Sequence, residues 1–370
     1  MSLAVNASIV DPYASGLGVY TIQLVKELEK IRKDLIVYTS SPEVFNFTSA
    51  KSKSIIFPLG PAYGKTAHVA RLLWTQTVLP VRLLKDKISK VFSPVPECVL
   101  GIGMPQTVVV HDLIPLKFPK DYPFQNIYFR WYVAPLLRKA QKIITVSEQS
   151  KADLIADLGV SPGRIQVVPG GCNHSDFHPY IDPTGIKRQY GLHQYLLYVG
   201  NLHPHKNLAR LIQAFARLSS RVSHQLVIVG KKDQRFYPSL EALVGKEGLN
   251  GRVVFLDYVK QDDLGGLYAG AEVFVFPSLY EGFGLPLLEA MACGVPVVSG
   301  NSGATAEVLG EAGILVDPRS VQDLAEALEY VLTTQGIRQD LQERGLRRAQ
   351  QYRWDRTARQ ISGIIEGASL

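Results

Sequence analysis

Short β-branched runs alternate with stretches of helical periodicity along the whole chain, and no other feature limits its fold as tightly. Residues 2–10 and 35–39 read as strands. Between them Val19, Ile22, Val25, Leu28 and Ile31 recur every three residues, which predicts one apolar face of a helix. Strand, helix and strand in this order make a βαβ unit with parallel strands. Apolar runs at 55–57, 107–110, 143–146 and 165–168 extend the first series. They are continuously apolar rather than alternating, which suits parallel strands covered on both faces.

After Pro169-Gly170-Gly171 the texture changes. Residues 172–193 are polar and interrupted by Pro179, Pro183 and Gly185, which predicts a linker. A second series of runs follows at 196–199, 226–229, 253–256, 273–276, 295–299 and 314–316, and the chain reads as helix from about 321 onward. The expectation is two open α/β sheets in tandem: a first domain over 1–171, the linker 172–193, and a second domain over 194–351. Ligands of open parallel sheets bind beyond the carboxyl ends of the strands, so two such sheets would face each other across a cleft lined by post-strand loops.

The 370 residues suffice for two ordinary domains. With 46% hydrophobic and 20% charged residues, a collagenous or disordered chain is excluded. Forty Lys and Arg against 33 Asp and Glu give +7, a mild excess that suits an anionic partner. Cys98, Cys172 and Cys293 are far apart and form no CxxC pair, so three reduced thiols are expected. The N-terminus lacks the pattern of a secretory signal and no apolar run is long enough to span a bilayer, so a cytoplasmic location is expected, with the inner membrane face as its alternative.

The most informative stretch is 273–294. A strand ends before Pro277, a loop with Gly282 and Gly284 follows, and Pro286 opens a helix that Gly294 and Pro296 end. The backbone N–H groups of Gly282, Phe283, Gly284 and Leu285 can approach an anion at the helix start, where the dipole favours negative charge. Glu281 and Glu289 flank them; each carboxylate can accept hydrogen bonds from a pair of sugar hydroxyls. The combination suits a ligand carrying both a diphosphate and sugar diols. An ordinary strand–helix unit with two surface glutamates accounts for the same residues taken alone.

The residues EGFGLPLLE, 281–289, resemble the E-x7-E motif of family 4 retaining glycosyltransferases, and CGVPVVSGNSGATAEVLGEAGILVDP, 293–318, is also similar to that family, with similarity over essentially the whole chain. The resemblance implies the GT-B architecture: two Rossmann-like doubly wound domains, an acceptor-binding one first and a donor-binding one second, with a C-terminal helix of about 352–370 packing back on the first. It implies that Glu281 lies by the donor sugar and Glu289 on the ribose.

Lys206 follows the first strand of the second domain in GNLHPHKN, placed to neutralise phosphate as a point charge. The family has a lysine here, and often an arginine beside it or after the glycine; this chain has His205 and Asn201 at those places. Gly16 and Gly18 form an incomplete glycine-rich turn after Ser15, which by resemblance brings a backbone N–H to the phosphates. Histidine and aspartate, here His111 and Asp112, end the strand 107–110; the family places such a histidine by the donor sugar or reacting centre. Asp112 either orients His111, touches the acceptor, or merely caps a loop. The loop 257–263, with Asp257, Val259, Asp262 and Asp263, is the expected reader of the donor base.

No Asp-x-Asp triplet and no metal-ligand spacing occurs, so transfer without a metal or other cofactor is expected. The reading that results is retaining transfer of a hexose from a nucleotide sugar, UDP-glucose before GDP-mannose, to a saccharide or lipid-linked saccharide acceptor in polysaccharide synthesis. A dehydrogenase would need a complete GxGxxG with its acid, and a nucleic-acid binder clustered Lys/Arg with exposed aromatics. Residues 65–90 hold Lys65, Arg71, Arg82, Lys85, Lys87 and Lys90 around Trp74. That segment reads equally as a basic surface for an anionic membrane and as the wet face of a sheet-covering helix.

Overall fold

A computed structural model of the protein describes residues 2–13, 16–48 and 50–367, the side chain of Lys65 excepted. Contacts divide the chain into two compact units, Met1–Gly171 with Arg353–Leu370, and Cys172–Tyr352.

The first unit holds a parallel sheet of seven strands: β1 (Leu3–Asn6), β2 (Leu35–Thr39), β3 (Lys51–Ser54), β4 (Lys90–Ser93), β5 (Gln106–Val110), β6 (Lys142–Thr145) and β7 (Ile165–Val167). Their spatial order is β3-β2-β1-β4-β5-β6-β7. The second unit holds a parallel sheet of six: β8 (Tyr195–Val199), β9 (Gln225–Val229), β10 (Val253–Leu256), β11 (Val273–Phe276), β12 (Val297–Gly300) and β13 (Ile314–Val316). They are ordered β10-β9-β8-β11-β12-β13. In each sheet the chain starts inside, runs to one edge, then returns to build the other side. The reversal leaves a crevice beside the first strand and the fourth, β1/β4 and β8/β11, which is where open α/β sheets bind ligands.

Core strands are buried end to end, as in VFVF of β11. The edge strand β3 reads KSKS and is exposed throughout, a lysine-guarded edge that discourages pairing with another chain. The sequence places a strand at 55–57 instead. There Ile55 is buried but Ile56 and Phe57 are exposed, so the apolar run is a loop and the polar residues before it make the strand. The pairing of β3 with β2 supplies its backbone partners, and side-chain polarity is no obstacle at an edge. β4, which starts at the last residue of the basic stretch 65–90, is a further strand that the sequence reading lacks.

The first helix, Gly16–Ile31, also departs from the expected register. It buries Tyr20, Thr21, Leu24, Val25 and Leu28, while Ile31 is 44% exposed. A strict three-residue spacing falls about 60° short of each turn of 3.6 residues, so it walks off the core face. The final helix, Trp354–Glu366, packs in the first unit and buries Trp354, Ile361, Ile364 and Ile365. A Cβ on Gly171 would come within 2.4 Å of the Trp354 backbone nitrogen, so only glycine lets the helix start approach so closely. Residues 172–193 belong to the second unit. They carry a helix, Thr184–Tyr190, and Phe177, fully buried, packs edge-on against Tyr268 at 5.7 Å.

Candidate active site

The crevice of the second sheet is built by the loops that follow β8 and β11. After β8, Gly200–Lys206 leads into a 3-10 turn, Pro204–Lys206, and Asn207 stands in the left-handed conformation with φ 65°. From there Asn207 Nδ2 donates to the carbonyls of Pro277 at 3.0 Å and Pro318 at 2.5 Å. The Leu279 amide donates to the His205 carbonyl at 2.8 Å. These bonds clamp the two loops together.

The clamp brings Lys206 against Glu281. Lys206 Nζ donates to Glu281 Oε1 at 2.5 Å, with the two side chains only 11% and 8% exposed. The ammonium also sits 5.3 Å from the centroid of Phe276. The sequence reading assigned these residues separately, one to phosphate and one to sugar, and did not pair them. In that contact the lysine offsets the charge of the carboxylate.

Gly282, Phe283 and Gly284 are buried, and the helix Leu285–Ala292 begins directly after them with Pro286 in its first turn. Gly284 has φ 124°, a value that side chains disfavour, and a Cβ there would stand 2.9 Å from Leu287 Cδ1. Phe283 meets the Tyr352 ring at 5.9 Å. The Leu287 amide donates to the Gly284 carbonyl at 3.0 Å, and the positive end of the helix dipole lies where the sequence placed an anion.

Glu289, one turn into that helix, accepts a hydrogen bond from the Tyr268 hydroxyl at 2.7 Å. Burial pushes its carboxyl up to about 7; the Tyr268 hydrogen bond opposes the rise and the Asp176 charge adds to it. Burial also drives the thiols of Cys172 and Cys293 up, Cys293 to about 12, with the Glu289 charge contributing. Neither is a nucleophile near neutral pH. Cys98, Cys172 and Cys293 are all free and buried.

Of the remaining second-unit candidates, Asn201 is exposed and its Oδ1 accepts from the His203 amide at 3.2 Å. Val259 is buried in the connection after β10. Its neighbour Asp257 accepts from the Lys232 amide at 3.1 Å, and Asp263 accepts from the Tyr190 hydroxyl at 3.1 Å. His205 is buried, and desolvation, followed by the Lys206 and His203 charges, lowers it to about 3. A neutral imidazole therefore stands where the family often has arginine, and it does not replace the missing charge.

In the first unit Gly16 is exposed and Gly18 buried in the opening turn of the first helix, while Ser15 lies outside the described residues. His111 follows β5, and its Nε2 is 2.9 Å from the Pro94 carbonyl that follows β4. Because a carbonyl only accepts, the ring carries its proton on Nε2 and leaves Nδ1 as an acceptor. Tyr20 packs edge-on at 4.5 Å, and burial lowers His111 to about 4. Asp112 accepts from the Ile114 amide at 2.9 Å, the loop-capping role that its sequence context also allowed. Arg71, counted in the basic segment, is instead buried against Glu97 at 2.8 Å.

Sequence reasoning missed Tyr268 and Asn207. Tyr268 carries no local signal, since an aromatic residue on a helix reads as core. Asn207 had one, because asparagine tolerates the left-handed conformation better than most residues. Among the described residues no group of three or more His, Cys, Asp or Glu could hold a metal ion. No described helix is long and apolar enough to cross a membrane.

The comparisons with known proteins define this fold as that of a glycosyltransferase. The family description "Glycosyltransferase Family 4" matches residues 14–176 and "Glycosyl transferases group 1" matches residues 186–348. The O-antigen chain mannosyltransferase B of Escherichia coli is 30% identical, over 92% of this chain and 93% of that one. Two solved structures share the whole fold. Sucrose-phosphate synthase from Thermosynechococcus elongatus superposes with TM-score 0.82 at 22% identity, covering 99% and 98% of the chains. Anabaena HepE, in complex with UDP and glucose, gives 0.79 at 18% identity over the whole of both. The chain belongs to the family 4 glycosyltransferases of GT-B fold.

Proposed function

We propose that the chain is a retaining mannosyltransferase that moves mannose from GDP-mannose to a saccharide acceptor in polysaccharide synthesis. The observation that carries the transferase chemistry is the Lys206–Glu281 contact at the mouth of the β8/β11 crevice. The choice of mannose over glucose rests on the relative that is 30% identical along nearly the full chain and is named a mannosyltransferase. It reverses the preference for UDP-glucose drawn from the sequence; HepE, at 18% identity, supports the fold alone.

As the glycosidic bond breaks, negative charge grows on the diphosphate and positive charge at the anomeric carbon. Lys206 and the amides of Gly282–Leu285 are assigned to the diphosphate, where fixed donors stabilise the transition state without reorganisation. Glu281 then exchanges its lysine for the hydroxyls of the donor sugar. Glu289, held by Tyr268, is assigned to the ribose, and Asn201 and Val259 to the outer parts of the nucleotide. In the first unit Gly16 and Gly18 are assigned to the donor phosphates, and His111 with Asp112 to the reacting centre and the entering hydroxyl of the acceptor, a saccharide or lipid-linked saccharide. Lysine and amides meet the leaving-group charge in this reading, so transfer proceeds without a metal, and the protein works on the cytoplasmic side.

Calorimetric titration without metal tests the donor. GDP and GDP-mannose should bind one site and UDP and UDP-glucose weakly or not at all, with Lys206→Ala reducing the affinity. UDP-glucose binding more tightly than GDP-mannose would return the reading to a glucosyltransferase. Binding of neither would remove the donor assignment altogether.

A further inference from the structure

One outward face of the first unit is left uncovered by its own fold. The helix Gly64–Lys85 lies beside the helical stretch that begins at Pro123. The rings of His68 and Tyr128 meet edge-on at 5.2 Å, and Gln76 Nε2 donates to the Tyr132 hydroxyl at 3.0 Å. With these residues turned toward one another, Val69, Leu73, Val81 and Leu84 of the first helix and Ile127 and Trp131 of the second turn to solvent. Each is more than half exposed, and Trp131 is 79% exposed. Single exposed apolar residues are ordinary. Six on two adjoining helices form a patch of the kind that marks an interaction surface.

Charge identifies what covers it. No Asp or Glu occurs between residues 44 and 85, or between 122 and 147. Arg71 is withdrawn to its buried partner Glu97, whereas Lys85, Arg130, Arg138 and Lys139 are exposed beside the apolar residues. We propose that this face docks on an anionic lipid bilayer. The aliphatic side chains and the Trp131 ring enter the headgroup boundary, and the four bases meet lipid phosphates. Basic helices with Trp and Leu on the apolar side lie in that plane, and each base near an anionic surface strengthens binding about fivefold. A second copy fits worse, since a two-fold contact through one patch sets it against itself and would oppose base to base.

The test uses the whole protein with phosphatidylcholine vesicles, with and without phosphatidylglycerol. The protein should sediment with the anionic vesicles, more weakly at high salt. Its tryptophan emission should shift to the blue, because Trp131 is the exposed one of three while Trp74 and Trp354 are buried. Leu73→Ser with Trp131→Ser should weaken binding about tenfold or more, and Arg138→Gln or Lys139→Gln about fivefold each. Nucleotide binding should stay unchanged in all of these variants, so failure here is distinct from failure of the donor reading. Absence from anionic vesicles would overturn the proposal, as would binding that ignores lipid charge. So would a protein dimer that Trp131→Ser abolishes.

Discussion

Lys206 and Glu281 stand 75 positions apart in the chain and 2.5 Å apart in the fold. Each neutralises the other, so removing one has unequal effects on binding and on chemistry. Glu281→Gln frees the ammonium; a nucleoside diphosphate should bind at least as tightly while transfer falls by roughly 100-fold or more. Lys206→Ala leaves a carboxylate beside the phosphates, and nucleotide affinity should fall about 10- to 100-fold. Titration calorimetry with a product assay separates these outcomes, and equal losses in both variants would contradict the division of roles. Glu289 offers a pH handle. Its folded value, about 7, lies above the ordinary 4.5, so the folded state holds the proton longer and stability declines as pH rises through that window. Glu289→Gln should raise the melting temperature at pH 8, leave it nearly unchanged at pH 5, and weaken donor binding at both. His111 works in the opposite sense: its value near 4 lies below the ordinary 6.5, so stability is lost as pH falls between those limits. His111→Asn should flatten that acid loss. The residue types and strand-end positions of Lys206, Glu281 and Glu289 were legible because motif and strand share one stretch of chain. The Lys206–Glu281 pair and the Tyr268–Glu289 bond were not, since each joins elements that meet only after the sheet forms.

At the scale of elements, buried parallel strands declare themselves through continuous apolar runs, and β8 to β13 are legible for that reason. Edge strands do not. β3 is exposed along its length, so its sequence answers to solvent, and the apolar 55–57 that follow mislead. β4 has only Val91, Phe92 and Ser93 buried, too few to stand out from the basic stretch before it. The basic residues of the helix Gly64–Lys85 suit a membrane surface and a wet face equally, and only the structure shows that its exposed residues are largely aliphatic. Loop shape is where an element-level test is sharpest. Gly284→Ala adds a Cβ at φ 124° and against Leu287, which should cost about 1–3 kcal/mol of backbone strain or force the loop to move. Donor affinity should fall in consequence although no functional group is lost, and crystallography would show the displaced 282–284 backbone.

For the molecule as a whole, the first unit is discontinuous: it needs Met1–Gly171 and also the final helix. Trp354, Ile361, Ile364 and Ile365 are buried there, and each such side chain contributes about 1.5–3 kcal/mol. Their sum is comparable with the roughly 5–15 kcal/mol margin of a domain. Deleting residues 353–370 should therefore abolish the first unit's calorimetric transition and leave that of the second, built from Cys172–Tyr352, largely in place. Two altered transitions would show that the units melt as one. The break also sets a timetable for synthesis. About 195 residues separate Gly171 from the end of the final helix, and at about 5–20 residues per second they take roughly 10–40 s to emerge. Throughout that interval the groove awaiting Trp354 stays bare, while the later-made second unit can already close. The half of the enzyme translated first is thus finished only after the other half, and its need for chaperones should last until the final helix has emerged.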